Sequence, residues 1–371
     1  MRLRVEKEAR VCFSNFFECG ILSFITLGLI TFVALAGDGR AAATIEQAVK
    51  TLDGLSGKER IARVEGGARK EAQVRWASSI PVTRAETIIQ AFRKKHPGIQ
   101  VEFSRLSGRV LADRAIREYQ GGRYDIDVLG SSAVTVGTLR EAGVVGSYAS
   151  PEAAAVKSGR KDPKGFWTAH YNNVLATICN ANRVKAAPSD WRDLIQAKWK
   201  GDFSIDVERF QWFLALSRIY GDEGAKKLFL GYMQNGAQVR RGGTLQSQLV
   251  AAGEYSCALA VYLDNIHVLL KAGAPVVYSV PEPVLLSPDI IMIAKFPPHP
   301  YAAILLYDYL LSVEGLAHLT RNHALFPPRD DVPILDEFQL LQGRPTYFID
   351  VEDQSRNFKE SSKSYQAILQ R

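Results

Sequence analysis

The sequence predicts a mixed α/β chain built as two lobes, and three observations predict it. Strand-like and helix-like segments alternate at short spacing from about residue 71 onward, the signature of a parallel sheet with helical crossovers. Two longer extended stretches, at about 168–178 and 276–290, interrupt that rhythm. Between them lies a second block of alternating elements, as expected of a chain that leaves one lobe, builds another and returns.

The chain begins with basic residues, Arg2, Arg4, Lys7 and Arg10. An apolar run follows, ILSFITLGLITFVALA, and then small residues at Ala34-Leu35-Ala36 and Ala41-Ala42-Ala43. Basic, apolar, small is the order of a secretory signal, so residues 1–43 read as a signal peptide and the mature protein as exported to the periplasm. An uncleaved N-terminal membrane anchor is the alternative, because about 17 apolar residues lie at the lower edge of a span.

Residues 44–70 read as an amphipathic helical segment. The first part of lobe one covers 71–170. It starts with the strand Val74-Arg75-Trp76-Ala77, followed by a helix that Thr83 and Glu86 open with a T-x-x-E capping box and Pro97-Gly98 closes. A strand at 99–103 precedes a helix marked by Leu111, Ala115, Ile116 and Tyr119, and Ile126–Leu129 gives the third strand before a helix near 133–142. Lobe two covers 171–278: a helix at about 190–197, the strand FSIDV, helices near 208–219 and 222–233, a helix–turn–strand in LQSQLVAAGEYSCALAVY, and a helix through Ile266–Lys271. Residues 279–331 return to lobe one and carry one long amphipathic helix in PPHPYAAILLYDYLLSVEGLAHL. Residues 332–371 form a C-terminal segment packing on the lobes, helical at 352–369.

Composition excludes some function classes. The 371 residues are 47% hydrophobic and 23% charged, an ordinary globular balance. The formal charge of +7 is spread along the chain, so no nucleic-acid partner is predicted, although a mildly positive cleft would favour anions. Phosphate loops, dinucleotide fingerprints, nucleophile elbows and C-x-x-C pairs are all absent. No enzyme, cofactor or metal centre is therefore expected. The pair Asp125 and Asp127 precedes its apolar run and reads as solvated strand-entry carboxylates. His96, His299 and His318 read as surface residues, and His267 as a satisfied core histidine. Cys179 and Cys257 read by default as two buried free thiols, while the sequence leaves open whether they pair.

Ligands of parallel α/β sheets sit beyond the carboxyl ends of the strands. In lobe one those positions hold Ser78 and Ser79, then Arg105, Ser107 and Arg109, then Ser131 and Ser132. In lobe two they hold Asp206 and Arg209, then Arg240, Arg241 and Thr244, then Tyr262 and Asp264. Hydroxyls and helix N-termini make an anion site, and arginine adds a bidentate fork. Ser78, Arg241 and Tyr262 lead this list; loop solvation and helix capping are the alternatives for each member.

The ordered segments EGGARKEAQVRWASS, TIIQAFRKKHPGIQVEF, DWRDLIQAKWKGDFSID, LVAAGEYSCALAVY, LLKAGAPVVYSVPEPV and HPYAAILLYDYLLSVEGL cover most of residues 65–325. As a series they resemble the periplasmic solute-binding proteins of ABC transporters, in the branch of the ferric-ion-binding proteins. The resemblance implies the class II periplasmic-binding-protein fold, with a two-strand hinge and a ligand cleft between the lobes. It further implies a monomer that closes on its ligand and delivers it to a permease and ATPase of the inner membrane. Ferric members use an adjacent tyrosine pair where this chain reads Ala260-Val261-Tyr262-Leu263-Asp264-Asn265. A lone tyrosine beside arginines and serines suits a small anionic or oxygen-rich organic solute. Ferric iron or an iron chelate, a membrane-anchored sensor, and an enzyme on the same scaffold are the alternatives.

Overall fold

The computed structural model describes residues 43–370. Two helices come first, α1 (Ile45–Lys50) and α2 (Gly57–Glu71), each opened by a complete capping box, from Thr44 to Gln47 and from Ser56 to Glu59. Then β1 (Gln73–Ser78), α3 (Val82–Lys95), β2 (Gln100–Arg105), α4 (Gly108–Gln120), β3 (Val128–Ser132), α5 (Val136–Glu141) and β4 (Val145–Gly146) follow. The long strand β5 (Thr168–Asn180) leads to β6 (Phe203–Asp206), α6 (Phe210–Tyr220), α7 (Asp222–Gln234), β7 (Gln238–Arg240), α8 (Gly243–Ala251), β8 (Cys257–Tyr262), α9 (Leu263–Lys271) and β9 (Val276–Ser279). The chain ends with β10 (Val284–Ala294), α10 (Pro300–Leu311), α11 (Val313–His323), β11 (Thr346–Phe348) and α12 (Val351–Leu369).

Among the described residues the strands form one curled sheet whose main path is β2-β1-β3-β10-β5-β8-β6-β7. β1 pairs in parallel with β2 and β3, and β6 pairs in parallel with β7 and β8. Two parallel patches are thus joined by two long antiparallel strands, β5 and β10. This is a two-lobed α/β architecture with both crossings in its middle, as the extended stretches predict. β5 is buried along its whole length, its polar residues Thr168, His170, Asn172, Asn173, Thr177 and Asn180 included.

The last helix lies against both lobes. Glu352 accepts two bonds from the Arg140 guanidinium, both 2.8 Å, and one from Trp167 Nε1, while Ser355 accepts from the Gly137 N–H. Its neighbour Asp353 accepts two bonds from Arg218 on α6, and the Tyr365 hydroxyl donates to the Asp206 carbonyl.

Several local expectations are corrected. Helix α3 begins one residue before Thr83, behind Pro81, and carries no side-chain cap, so Thr83 and Glu86 form no capping box. Residues 193–199 make two short 3₁₀ turns instead of a helix. The single long helix expected within 297–319 is broken at Ser312 into α10 and α11, with a bend of 53°. Ser312 caps α11 by accepting from Gly315 N, and Gly315 is required because a Cβ there would lie 2.0 Å from the Tyr309 carbonyl oxygen. Cys179 and Cys257 are not free thiols: antiparallel register sets them opposite each other on β5 and β8, and they form a disulfide. Asp127 is fully buried rather than solvated, accepting from Arg75 N and from both the N–H and the ring of His299. It ties β3 to the start of α10, and His299, like His96 and His318, is half-buried rather than a surface residue. The predicted secretory segment lies outside the described residues.

Candidate functional site

At the carboxyl end of β1, Ser78 is buried and its Oγ accepts from Ile80 N, which shapes the turn into α3. Ser79 donates to Asp289 on β10. Ser107 occupies the cap position of α4 but makes no capping bond, leaving the first-turn amides of α4 unpaired by side chains. Gly108 follows, and it is close to β3: a Cβ at Gly108 would stand 2.9 Å from Ser131 Oγ and 3.0 Å from Ser132 Oγ. Ser131 also accepts from Thr135, at 3.0 Å. Ser107, Ser131 and Ser132 therefore converge on the start of α4. Arg105 is exposed, and the Arg109 guanidinium lies 5.9 Å from the Phe358 ring of α12.

The second lobe presents a different arrangement. Asp206 ends β6 and accepts from Glu208 N and Gly242 N, bracing the turns into α6 and α8. Its other oxygen accepts from Arg209, 3.1 Å away. Arg209 is 7% exposed, and its guanidinium lies flat against Tyr262, 4.0 Å from the ring centroid. It also presses on α8, where only a glycine fits: a Cβ at Gly243 would be 2.8 Å from its terminal nitrogen. Burial pulls the Arg209 pKa down, but Tyr262 and Asp206 outweigh it and hold the group above its ordinary value. Tyr262 accepts from Gln211 Nε2 at 2.9 Å. A bulge precedes it, with Ala260 at φ 54°, a left-handed conformation that is costly for alanine and re-aims the end of β8. Thr244 is exposed and within 3.5 Å of Asn265. Arg241 turns to solvent and pairs with Glu208 at 2.7 Å.

The two walls meet at two places. Arg84, in the first turn of α3, forms a largely buried ion pair with Asp264, in the first turn of α9. Arg109, in the first turn of α4, lies near the Phe358 ring, which meets Phe210, the first residue of α6, edge-on at 5.0 Å. The N-termini of α3 and α9 thus come together at that ion pair, and those of α4 and α6 both reach the Phe358 ring of α12. None of these four, nor that of α8, carries a side-chain cap bond. Converging positive helix ends make the space between them favourable to an anion.

Between the walls, on the hinge strands, Asp289 accepts from Ser79, Asn173 and Tyr171. Burial pushes its carboxyl above the usual value against the pull of those donors and of Arg84. Among the described residues Arg209 Nε, Gln211 Oε1 and Asp264 Oδ1 are buried without a partner. Buried polar atoms are seldom left so, and these offer one donor and two acceptors to a third party. Sequence reasoning missed Arg84, Gln211 and Asp289. For Asp289 the signal was present as a lone carboxylate in the apolar strand VLLSPDIIMIA; Arg84 and Gln211 needed the packing of the walls. No group of three or more His, Cys, Asp or Glu residues among the described ones is placed to hold a metal ion.

The sequence profile of the bacterial extracellular solute-binding proteins matches residues 127–353. Solved structures share the fold over 80% of this chain. The Trichodesmium protein IdiA (FutA), in complex with iron and citrate, superposes with a TM-score of 0.67 at 20% identity over 99% of its length. Iron-bound HitA from Pseudomonas aeruginosa gives 0.70 at 19% identity over 99% of its length. The periplasmic binding protein AfuA from Actinobacillus pleuropneumoniae, with exogenous fructose-6-phosphate bound, gives 0.69 at 20% over 98%.

Proposed function

The chain belongs to the bacterial extracellular solute-binding proteins, and from that premise we propose that it captures a small hydroxylated organic anion, such as a sugar phosphate or hydroxycarboxylate, between its lobes. It is a binding component of an ABC-type importer. The single observation that carries the ligand class is the set of uncapped helix N-termini that converge, α3 with α9 at the Arg84–Asp264 pair and α4 with α6 about Phe358. An anionic group takes the N–H donors and serine hydroxyls of the first wall. Ligand hydroxyls take the open acceptors Gln211 Oε1 and Asp264 Oδ1, and a ligand oxygen takes Arg209 Nε. Ser78, Ser79, Ser107, Ser131, Ser132, Arg209, Thr244, Tyr262 and Asp264 belong to this site in the proposal. Asp206 acts through Arg209, whereas Arg105, Arg109 and Arg241 serve the rim. Capture in a desolvated cleft is followed by delivery to a permease and its ATPase in the inner membrane, with the protein working as a periplasmic monomer.

Isothermal titration of the mature protein against fructose 6-phosphate, citrate, Fe(III)-citrate and free Fe(III) tests the reading. Saturable binding of at least one organic anion without iron is the expected result. Tyr262→Phe should keep that affinity within about threefold, since the ring over Arg209 stays. Binding that requires Fe(III), with a tyrosinate absorption band lost in Tyr262→Phe, would replace it with iron capture.

A further inference from the structure

We propose that the back of the hinge carries a second site, for a small organic carboxylate with an apolar body. A cavity of about 370 Å³ lies there, floored by Val284 and Leu286 of β10 and closed by Phe326, Leu341 and Arg160. Strand residues alternate between faces, so Val284 and Leu286 point away from the face on which Asp289 meets Ser79 and Asn173. The cavity is therefore across the sheet from the cleft.

Its charges select the ligand. Arg329 is saturated by two bonds to Asp331, one to Glu152 and one to the Leu311 carbonyl. Lys157 is paired with Asp330 at 2.5 Å. Arg160 differs from both. Its guanidinium lies 5.3 Å from the Phe348 ring, and among the described residues no oxygen accepts from it. Burial pulls its pKa below the ordinary value, with only the more distant Asp330 opposing. A half-buried guanidinium with no carboxylate bonded to it is costly, Asp330 on the same cavity being taken by Lys157, and a ligand carboxylate offers the bidentate partner that the planar fork fits. The apolar floor then takes the rest of the molecule. A compact inorganic anion would leave that floor uncovered.

The position gives the site a consequence. β10 is one of the two strands that join the lobes, and Phe326 bridges Asn172 on the other. A ligand whose contacts differ between the open and closed hinge shifts the affinity of the cleft, and the cleft ligand shifts its affinity in return.

Titration of the mature protein with octanoate and with octanamide tests this without any cleft ligand, so the result does not depend on what the cleft carries. Octanoate is expected to saturate, and octanamide to bind roughly tenfold more weakly or not at all. Arg160→Gln should bring octanoate down to the octanamide level while leaving the unfolding midpoint and fructose 6-phosphate titration unchanged. Ile334→Trp, which fills the cavity, should weaken both probes. No saturable octanoate binding, equal binding of octanamide, or octanoate binding that survives Arg160→Gln would overturn the proposal. So would loss of octanoate binding in Arg209→Gln under conditions where circular dichroism shows that variant folded, which would place the probe in the cleft.

Discussion

On the β1–β3 side the proposed cleft would present serine hydroxyls and free helix amides, with Gly108 held close to Ser131 and Ser132. On the β6–β8 side it would present a guanidinium held by Asp206 and the Tyr262 ring, with Gly243 close against it. The first wall consists of small groups that rotate at little cost. The second is set before any ligand arrives, because Arg209 cannot move without unpairing a buried carboxylate. A binder of this kind can keep a rigid wall for selection and an adaptable one for closure, and the ordering cost falls on short side chains with little rotamer entropy to lose.

The largest effect that would break this contrast is expected from Arg209→Gln. Asp206 would stay buried without its cation, lowering stability by roughly 3–5 kcal/mol. The affinity for an organic anion should fall roughly a hundredfold, about 2.7 kcal/mol. Denaturant unfolding and titration measure the two losses, and an unchanged affinity would remove Arg209 from the wall. Next is the Arg84–Asp264 pair. A double-mutant cycle with Arg84→Gln and Asp264→Asn should give a coupling of about 2 kcal/mol, and small-angle scattering should show a larger radius of gyration for each single variant. Additive effects would mean that the walls meet without holding each other. Gly108→Ala sharpens the other side. Crowding Ser131 and Ser132 should weaken ligand binding about tenfold at nearly constant stability; a change in stability alone would make Gly108 a packing residue.

The smallest effect concerns acid. Burial first, and then the charge of Arg84, push His323 down to about 4 from its usual 6.5. The unfolded chain takes up this proton near 6.5 and the folded chain near 4, so stability falls as pH drops through that window. Arg84→Gln should raise the His323 pKa in an NMR titration and narrow the window. No movement would show that burial alone sets it.

The alternation of strands and helices was legible because apolar spacing is local, and the two crossings stood out as runs too long for one lobe. Positions at the carboxyl ends of strands followed from topology, which is why Arg209 and Tyr262 could be named. What could not be read depends on distant partners. Asp127 looks like a solvated carboxylate until His299, 172 residues away, is placed upon it. The pairing of Cys179 with Cys257 needs the register of β5 against β8. Arg241 was named because its loop lies at the end of a strand, yet it turns to solvent, while Arg84, which was not named, is brought by the start of α3 against the opposite wall.

Glu352 and Asp353 are adjacent in the chain, yet Arg140 holds one and Arg218 the other. With β5 and β10, α12 makes a third strut between the moving halves. A plate hung on two ribbons can both swing and twist; a third support set away from them leaves the swing and resists the twist. In the proposed closure each cycle would return the serines to the same alignment with Arg209, as a door with a third hinge meets the same latch.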